Sequence, residues 1–134
     1  MNVLVVEPGY LPYEKEINGL AEMQAVVGGL IEPTYPYEYE NVAFVGNDEA
    51  LLLDMPFNRS IPGGYGGLFG NFFICGIEED DFCSLTPEQI KRFKQEYRHA
   101  EILLGAKYNT PITLKVAAAP KIPPAKESHA EPER

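Results

Sequence analysis

The sequence predicts one α+β domain, in which an antiparallel or mixed sheet carries two packed helices. Apolar residues make up 45% of the 134 residues and charged residues 23%, which is typical of a globular chain and excludes a wholly disordered one. Short apolar runs such as Asn2–Val6 end in turn residues, as buried strands do. A later segment begins with Thr86 and Pro87 and continues at helical spacing, so strands and helices occur in the same domain.

Five runs have the composition of strands. The mostly β-branched run that ends at Val6 and the run around Phe44 are typical of buried strands. Pro33 lacks an amide hydrogen, and we therefore expect its strand to lie at an edge of the sheet. Turn residues at 46–49 predict that the next run pairs back as a hairpin. We predict strands over residues 2–6, 30–35, 42–45, 50–53 and 68–77, with an irregular connector at 55–59 and a glycine loop at 61–67.

Two segments have helical signals. Asn18 is a plausible N-cap of the first helix, and Gly28 can end it in the left-handed conformation. In the second, Thr86 and Gln89 fit a capping box, and Pro87 occupies the first helical position. We predict helices over residues 18–28 and 87–103. The predicted core of the sheet contains Leu4, Val6, Val42, Phe44, Leu52, Phe72 and Ile74.

The composition changes after Val116. Residues 117–134 are rich in proline, alanine and charged residues, which is typical of a disordered tail. We therefore predict a folded domain over residues 1–116 and a tail over 117–134 that is dispensable for folding. We see no secretory signal and no apolar run of about 20 residues, so we expect a cytoplasmic chain that does not enter the membrane.

The negative charge is concentrated at the start of the chain. The net charge is −9, and residues 1–54 contain ten acidic residues against one basic residue, Lys15. Direct binding to nucleic acid is disfavoured, because such binding depends on Lys and Arg that neutralise phosphates. The acidic half can instead meet a protein partner of basic character, or serve only to keep the protein soluble. The candidate partner-binding residues are Glu32, Glu38, Glu40, Asp48 and Glu49.

A second candidate site surrounds Arg59, the only basic residue between Lys15 and Lys91. An arginine beside a glycine loop can bind the phosphate of a metabolite or nucleotide. The alternative is that Arg59 neutralises nearby acidic residues. The loop precedes a strand, whereas phosphate-binding loops follow a strand and open a helix, so the loop can equally be a plain turn. The candidate ligand-binding residues are Asn58, Arg59, Gly64, Tyr65 and Gly66.

Catalytic signatures are missing from the sequence. None of the common hydrolase, kinase or zinc-protease motifs is present, and Cys75 and Cys83 do not have metal-ligand spacing. Cys75 lies in an apolar run and is expected in the core, while the acidic residues before Cys83 are expected to raise the pKa of its thiol. We therefore expect no cofactor and no metal. An enzyme stays open, but we favour a non-catalytic protein.

Four segments, in the same order, resemble the family called domain of unknown function 3846. They read NVLVVEPGYLPYEKEI, GNDEALLLDMPFNR, FFICG and EEDDFCSLTPEQIKRF, and the similarity spans about residues 1–100. The resemblance brings no established activity and no catalytic residue. It implies a setting in bacteria, phages and conjugative elements, where small accessory proteins often bind and inhibit host factors. We therefore expect a protein of a phage or mobile element that inhibits a host defence protein through its acidic half, the alternative being the binder of a phosphorylated small molecule.

Overall fold

The computed structural model describes residues 1–121, which form ten strands and two helices. Strands dominate, and the prediction of an α+β domain is confirmed. The helices are α1 (Gly19–Val27) and α2 (Pro87–Glu96). The strands are β1 (Asn2–Val6), β2 (Tyr13–Glu16), β3 (Ile31–Thr34), β4 (Val42–Asn47), β5 (Phe57–Ile61), β6 (Gly66–Phe69), β7 (Phe72–Glu78), β8 (Asp81–Cys83), β9 (His99–Lys107) and β10 (Thr110–Ala117).

Six of these strands form one antiparallel sheet, in the order β2-β1-β7-β4-β3, with β8 paired to the end of β7. Ile74 of β7 lies opposite Leu4 on one side and Phe44 on the other. The central strands are buried on both faces, which explains their continuous apolar sequences, since a half-exposed strand would alternate with polar residues. β3 forms an edge of the sheet, as Pro33 predicts.

A hydrophobic cluster lies on each face of this sheet. On one face, Val27 of α1 belongs to a cluster with residues such as Val45 and Phe73. On the other face, Phe93 and Tyr97, from α2 and its C-cap, join the larger cluster and contact Phe44 edge-on. Six of the seven predicted core residues belong to this second cluster, namely Leu4, Val6, Val42, Phe44, Phe72 and Ile74.

Leu52, the seventh, was wrongly predicted to be in the core, because residues 50–53 form turns instead of a strand. The amide of Leu53 donates to the carbonyl of Glu49 at 2.9 Å, and the amide of Met55 donates to that of Ala50 at 3.0 Å. These local bonds close the chain on itself and leave Leu52 84% exposed. Three leucines in a row gave an apolar signal without the burial that a strand in the core requires.

Two neighbouring boundaries also differ from the prediction. The segment expected to be an irregular connector contains β5, which pairs with β6 in a separate two-stranded sheet. The glycine loop is therefore the turn of this hairpin. The strand predicted over residues 68–77 is divided between β6 and β7 at Gly70, whose φ of 77° is in the left-handed region that favours glycine.

The first helix agrees with its prediction, and Gly28 ends it at a φ of 81°. The second begins with the predicted capping box between Thr86 and Gln89. It ends at Glu96, however, and residues 99–107 form β9, which pairs with β10 in a two-stranded sheet. The predicted helix to 103 was wrong because the apolar residues after Tyr97 satisfy their backbone groups across the β9–β10 hairpin, a partner that helical spacing cannot reveal.

The contacts of the domain continue beyond the predicted boundary at Val116. Ala117 lies within β10, and Ala119 exchanges backbone hydrogen bonds with Gly9 and Leu11. The ammonium of Lys121 lies 3.0 Å from a carboxylate oxygen of Glu7. Most of the predicted tail, residues 122–134, lies outside the described residues. Within residues 1–121, no helix has the length and apolar character needed to cross a membrane.

Candidate functional site

Arg59, the centre of the predicted ligand site, is fully buried. It lies in β5, and its guanidinium donates to the carbonyl oxygens of Tyr10 at 2.8 Å and Tyr97 at 3.1 Å. Burial lowers the pKa of Arg59, while the negative charge of Glu101 opposes this shift. The alternative prediction was that Arg59 neutralises nearby acidic residues. The guanidinium donates its hydrogen bonds to carbonyl and amide oxygens, so the charge of Glu101 acts on it without a hydrogen bond.

Asn58 is also fully buried, and its side chain completes the same network. Its amide nitrogen donates to the carbonyls of Val6 at 2.9 Å and Gly70 at 2.8 Å. Its amide oxygen accepts from the Arg59 guanidinium at 2.8 Å. These bonds use both ends of the Asn58 amide. Asn58 and Arg59 therefore hold the interior of the domain together and do not face solvent.

The other residues of the predicted ligand site lie at the surface, on the β5–β6 hairpin. Gly64 and Tyr65 are in the exposed turn, and the Tyr65 hydroxyl accepts a hydrogen bond from the amide of Tyr35 at 3.2 Å. Gly66 begins β6. The structure thus does not bring the buried pair Asn58 and Arg59 to the same surface as these three residues.

The predicted partner-binding residues separate into two groups. Glu32, Asp48 and Glu49 line one groove of about 750 Å³. Glu38 lies exposed in the turn between β3 and β4. Glu40, near it, makes a bidentate ion pair with Arg92 of α2, which lowers the pKa of the Glu40 carboxyl.

This groove, which we call the acidic groove, is bounded by β3, the turn after β4, the β5–β6 hairpin and the tip of the β9–β10 hairpin. Its walls are largely apolar, and Tyr65 and Gly66 from the predicted ligand site also line it. None of its lining residues within the described chain is basic. The groove therefore combines an apolar surface with three carboxylates, and its apolar side chains include Leu51, Leu52, Phe57, Leu68, Phe69 and Leu103.

The turn that carries the leucines is well ordered by its own hydrogen bonds. The side-chain oxygen of Asn47 accepts from the amide of Glu49 at 2.7 Å, and its nitrogen donates to the carbonyl of Val27 at 3.1 Å. Leu51 and Leu52 are nevertheless 72% and 84% exposed. The surface position of these two leucines departs from the strand predicted over residues 50–53. The available signal was an uninterrupted leucine triplet that follows two acidic residues after a single alanine.

Neither of the two cysteine thiols is activated in this structure. Burial raises the pKa of the Cys75 thiol to about 12, and burial followed by the charge of Glu78 raises the pKa of Cys83. A raised pKa keeps a thiol protonated and unreactive near neutral pH. Within residues 1–121, no group of three or more His, Cys, Asp or Glu side chains is placed to hold a metal ion.

The fold and groove define a small α+β domain with an acidic, partly apolar surface groove. The chain belongs to the family described as Domain of unknown function (DUF3846), whose model matches residues 1–98. No curated protein and no solved structure matches it. The match ends one residue before β9 begins at His99, so the β9–β10 hairpin, which contributes part of the groove lining, follows the matched segment.

Proposed function

We propose that this protein is a non-catalytic binding domain that engages a protein partner at the acidic groove. One observation carries the proposal, namely that Glu32, Asp48 and Glu49 line a groove together with exposed leucines and without a basic residue among its described lining. Apolar side chains in such a groove gain free energy when a partner covers them. Carboxylates in the lining favour a basic partner and speed its association.

The alternative of a phosphorylated small molecule has less support. The buried guanidinium of Arg59 is occupied by carbonyl oxygens and would have to leave them to reach a ligand. The three carboxylates of the acidic groove repel a phosphate, because like charges close together raise the free energy of binding. The hairpin turn at Gly64 and Tyr65 supplies no positive side chain.

From the family resemblance, we propose that the protein belongs to a phage or conjugative element and binds a host defence factor in the cytoplasm. Inhibition of such a factor requires only binding. A small domain that covers a basic surface of such a factor can block its access to a substrate. We propose a basic partner because the charged residues in the groove lining are all negative.

The test compares two charge reversals that change the net charge equally. Asp48→Lys with Glu49→Lys reverses the groove, and Glu78→Lys with Asp81→Lys reverses an exposed pair at the β7–β8 turn. We expect the tagged domain to capture a partner protein from host lysate, and we expect high salt to release that partner. Mass spectrometry identifies the captured protein. The groove variant should lose this protein, and the β7–β8 variant should retain it.

Two results would overturn the proposal. One is a captured protein that both variants bind equally well, since the groove would then not be the binding surface. The other is the absence of any salt-sensitive partner together with a thermal shift on addition of a nucleotide or sugar phosphate, which would favour the small-molecule alternative.

A further inference from the structure

We propose that the occupant of the acidic groove is an amphipathic helix of the partner, with leucine-like side chains on one face and Lys or Arg beside them. This inference rests on the proposed protein-binding function and specifies the chemistry of the segment bound. It depends on three properties of the groove: the exposed leucines, the negative charges near them, and the few backbone groups that the edge strand β3 leaves free for an added strand.

The exposed leucines supply the apolar anchor. Leu51 and Leu52, which line the groove, are 72% and 84% exposed, and Leu53, which follows them outside the groove lining, is 52% exposed. Such a run at the surface of a soluble domain usually marks a contact with another molecule. The amide of Asp54 donates to the carbonyl of Leu51 at 3.2 Å, so the turn holds the leucines in place before any partner arrives. A preorganised turn lowers the entropic cost of binding.

The charges select a basic segment. Asp48 and Glu49 lie before the leucines, separated from Leu51 only by Ala50, and Glu32 extends the negative surface on β3. The described lining of the groove holds no Lys, Arg or His to offset them. A segment that covers the leucines therefore gains from Lys or Arg next to its apolar side chains, whereas acidic residues there would be repelled.

The strand edge beside the groove argues against addition of an extended peptide. The amide of Asp48 donates to the carbonyl of Leu30 at 2.8 Å, and Glu32 and Thr34 lie opposite Gly46 and Phe44 of β4. Because hydrogen-bonded pairs alternate along an antiparallel ladder, the backbone groups of Glu32 and Thr34 face β4. Those of Ile31 and Pro33 face outward.

Pro33 has no amide hydrogen to donate to an added strand, and Ile31 alone offers a complete set of backbone groups. Recognition must then come from side chains. A helix satisfies its own backbone and presents apolar residues at positions i, i+3, i+4 and i+7, so it fits a groove whose lining combines apolar side chains with carboxylates.

The test uses two synthetic 14-residue peptides made of the same numbers of Leu and Lys. In one the leucines follow the helical spacing, and in the other they alternate with lysine as in a strand. A third peptide has the helical spacing with Glu in place of Lys. Affinity is measured by fluorescence anisotropy at low and high salt, and the bound surface is mapped by NMR shifts of backbone amides.

We expect the helical Leu/Lys peptide to bind at least about tenfold more tightly than the other two, a ratio worth about 1.4 kcal/mol. The shifts should centre on residues 48–54 and the β5–β6 hairpin. Leu51→Ser with Leu52→Ser should weaken binding by at least about tenfold, because burial of a leucine side chain is worth that much or more. Leu20→Ser, an exposed leucine of α1 outside the groove, should change it less than twofold.

Tighter binding of the alternating peptide would overturn the helical occupant in favour of an added strand. Equal binding of the Glu peptide would overturn the basic one, and equal losses in the Leu20 and Leu51/Leu52 variants would remove the groove as the site. If no peptide binds while the lysate partner still depends on Asp48 and Glu49, the occupant proposed here is wrong and the proposed function stands. If that partner shows no such dependence either, the proposed function falls with it.

Discussion

At the scale of single residues, the guanidinium of Arg59 joins two distant parts of the chain to β5. It binds the carbonyl of Tyr10 in the loop after β1 and that of Tyr97 at the C-terminus of α2, and it also binds the side chain of Asn58 beside it. The Tyr97 carbonyl lies at the negative end of the helix dipole, where a cation is favourable. Arginine suits this position because its planar fork can reach several oxygens at once.

Replacement of Arg59 should therefore destabilise the domain. We expect Arg59→Met to lower the free energy of unfolding by about 3 kcal/mol, because it leaves buried carbonyl oxygens without donors. Arg59→Lys should recover only part of this loss, since one ammonium cannot reproduce the fork. Urea denaturation followed by circular dichroism measures both. Arg98→Met, at an exposed arginine, is the control and should change the stability by less than about 0.5 kcal/mol. Wild-type stability of Arg59→Met would show that the network contributes nothing.

At the scale of elements, an ion pair connects the β3–β4 turn to α2. The Arg92 guanidinium binds both carboxylate oxygens of Glu40 and stacks over the ring of Phe93 at 4.3 Å from its centroid. Glu40 was predicted to bind a partner, and its bidentate bond to Arg92 gives it a structural role in the folded chain. The pKa of the Glu40 carboxyl is lowered mainly by this bond, so the bond favours the folded state only while the carboxyl is ionised.

The lowered pKa of Glu40 predicts how the stability of the domain changes with pH. A carboxyl whose pKa is lower in the folded state contributes fully above its unfolded pKa of 4.5 and loses this contribution as the pH falls through the folded value. We expect Glu40→Gln to cost about 0.5 kcal/mol at pH 7, since the pair is partly exposed, and to cost nothing near pH 2.5. Urea unfolding at pH 7, 4 and 2.5 measures the difference. Glu38→Gln, on the same turn, removes a carboxyl that makes no ion pair within the described residues, and it serves as the control. A cost of Glu40→Gln that is unchanged at pH 2.5 would exclude the ion pair as its cause.

At the scale of the whole molecule, the C-terminal end of the described chain packs against the loop that follows β1. Residues 117–121 lie along the loop that follows β1, where Ala119 exchanges backbone hydrogen bonds with Gly9 and Leu11. The Lys121 ammonium also lies 4.5 Å from the centre of the Tyr10 ring. The same loop supplies the Tyr10 carbonyl to Arg59, so the C-terminal contacts support the buried network from outside.

Truncation tests whether residues 117–121 belong to the folded domain or whether the domain ends at Val116, as the sequence predicts. Removal of all residues after Val116 should lower the free energy of unfolding by about 2 kcal/mol, because it deletes two backbone hydrogen bonds and an ion pair. Truncation after Lys121 keeps these contacts and serves as the control for the loss of chain length. Thermal and urea unfolding measure both proteins. Equal stability of the two would show that residues 117–121 add nothing and would support a boundary at Val116.

Features that depend on neighbouring residues could be predicted from the sequence alone. The β-branched run at Asn2–Val6, the capping box at Thr86 and the edge position of Pro33 all agree with the structure. Each reflects local chemistry, such as a cap that satisfies the amides of the next turn or a missing amide hydrogen that excludes a residue from the interior of a sheet. Most of the predicted core could be predicted in the same way, because a long apolar run is usually buried in a folded domain.

The tertiary structure decided what depends on residues distant in sequence. Arg59 is buried because oxygens 49 residues before it and 38 residues after it converge on its guanidinium. α2 ends at Glu96 because residues 99–107 pair with β10, and the leucine triplet is exposed because residues 50–53 close into turns. The acidic groove exists only where β3, the leucine turn and two hairpins meet. Composition placed the negative charge in the first half of the chain, but only packing against the rest of the domain gave three of its carboxylates a shared apolar surface.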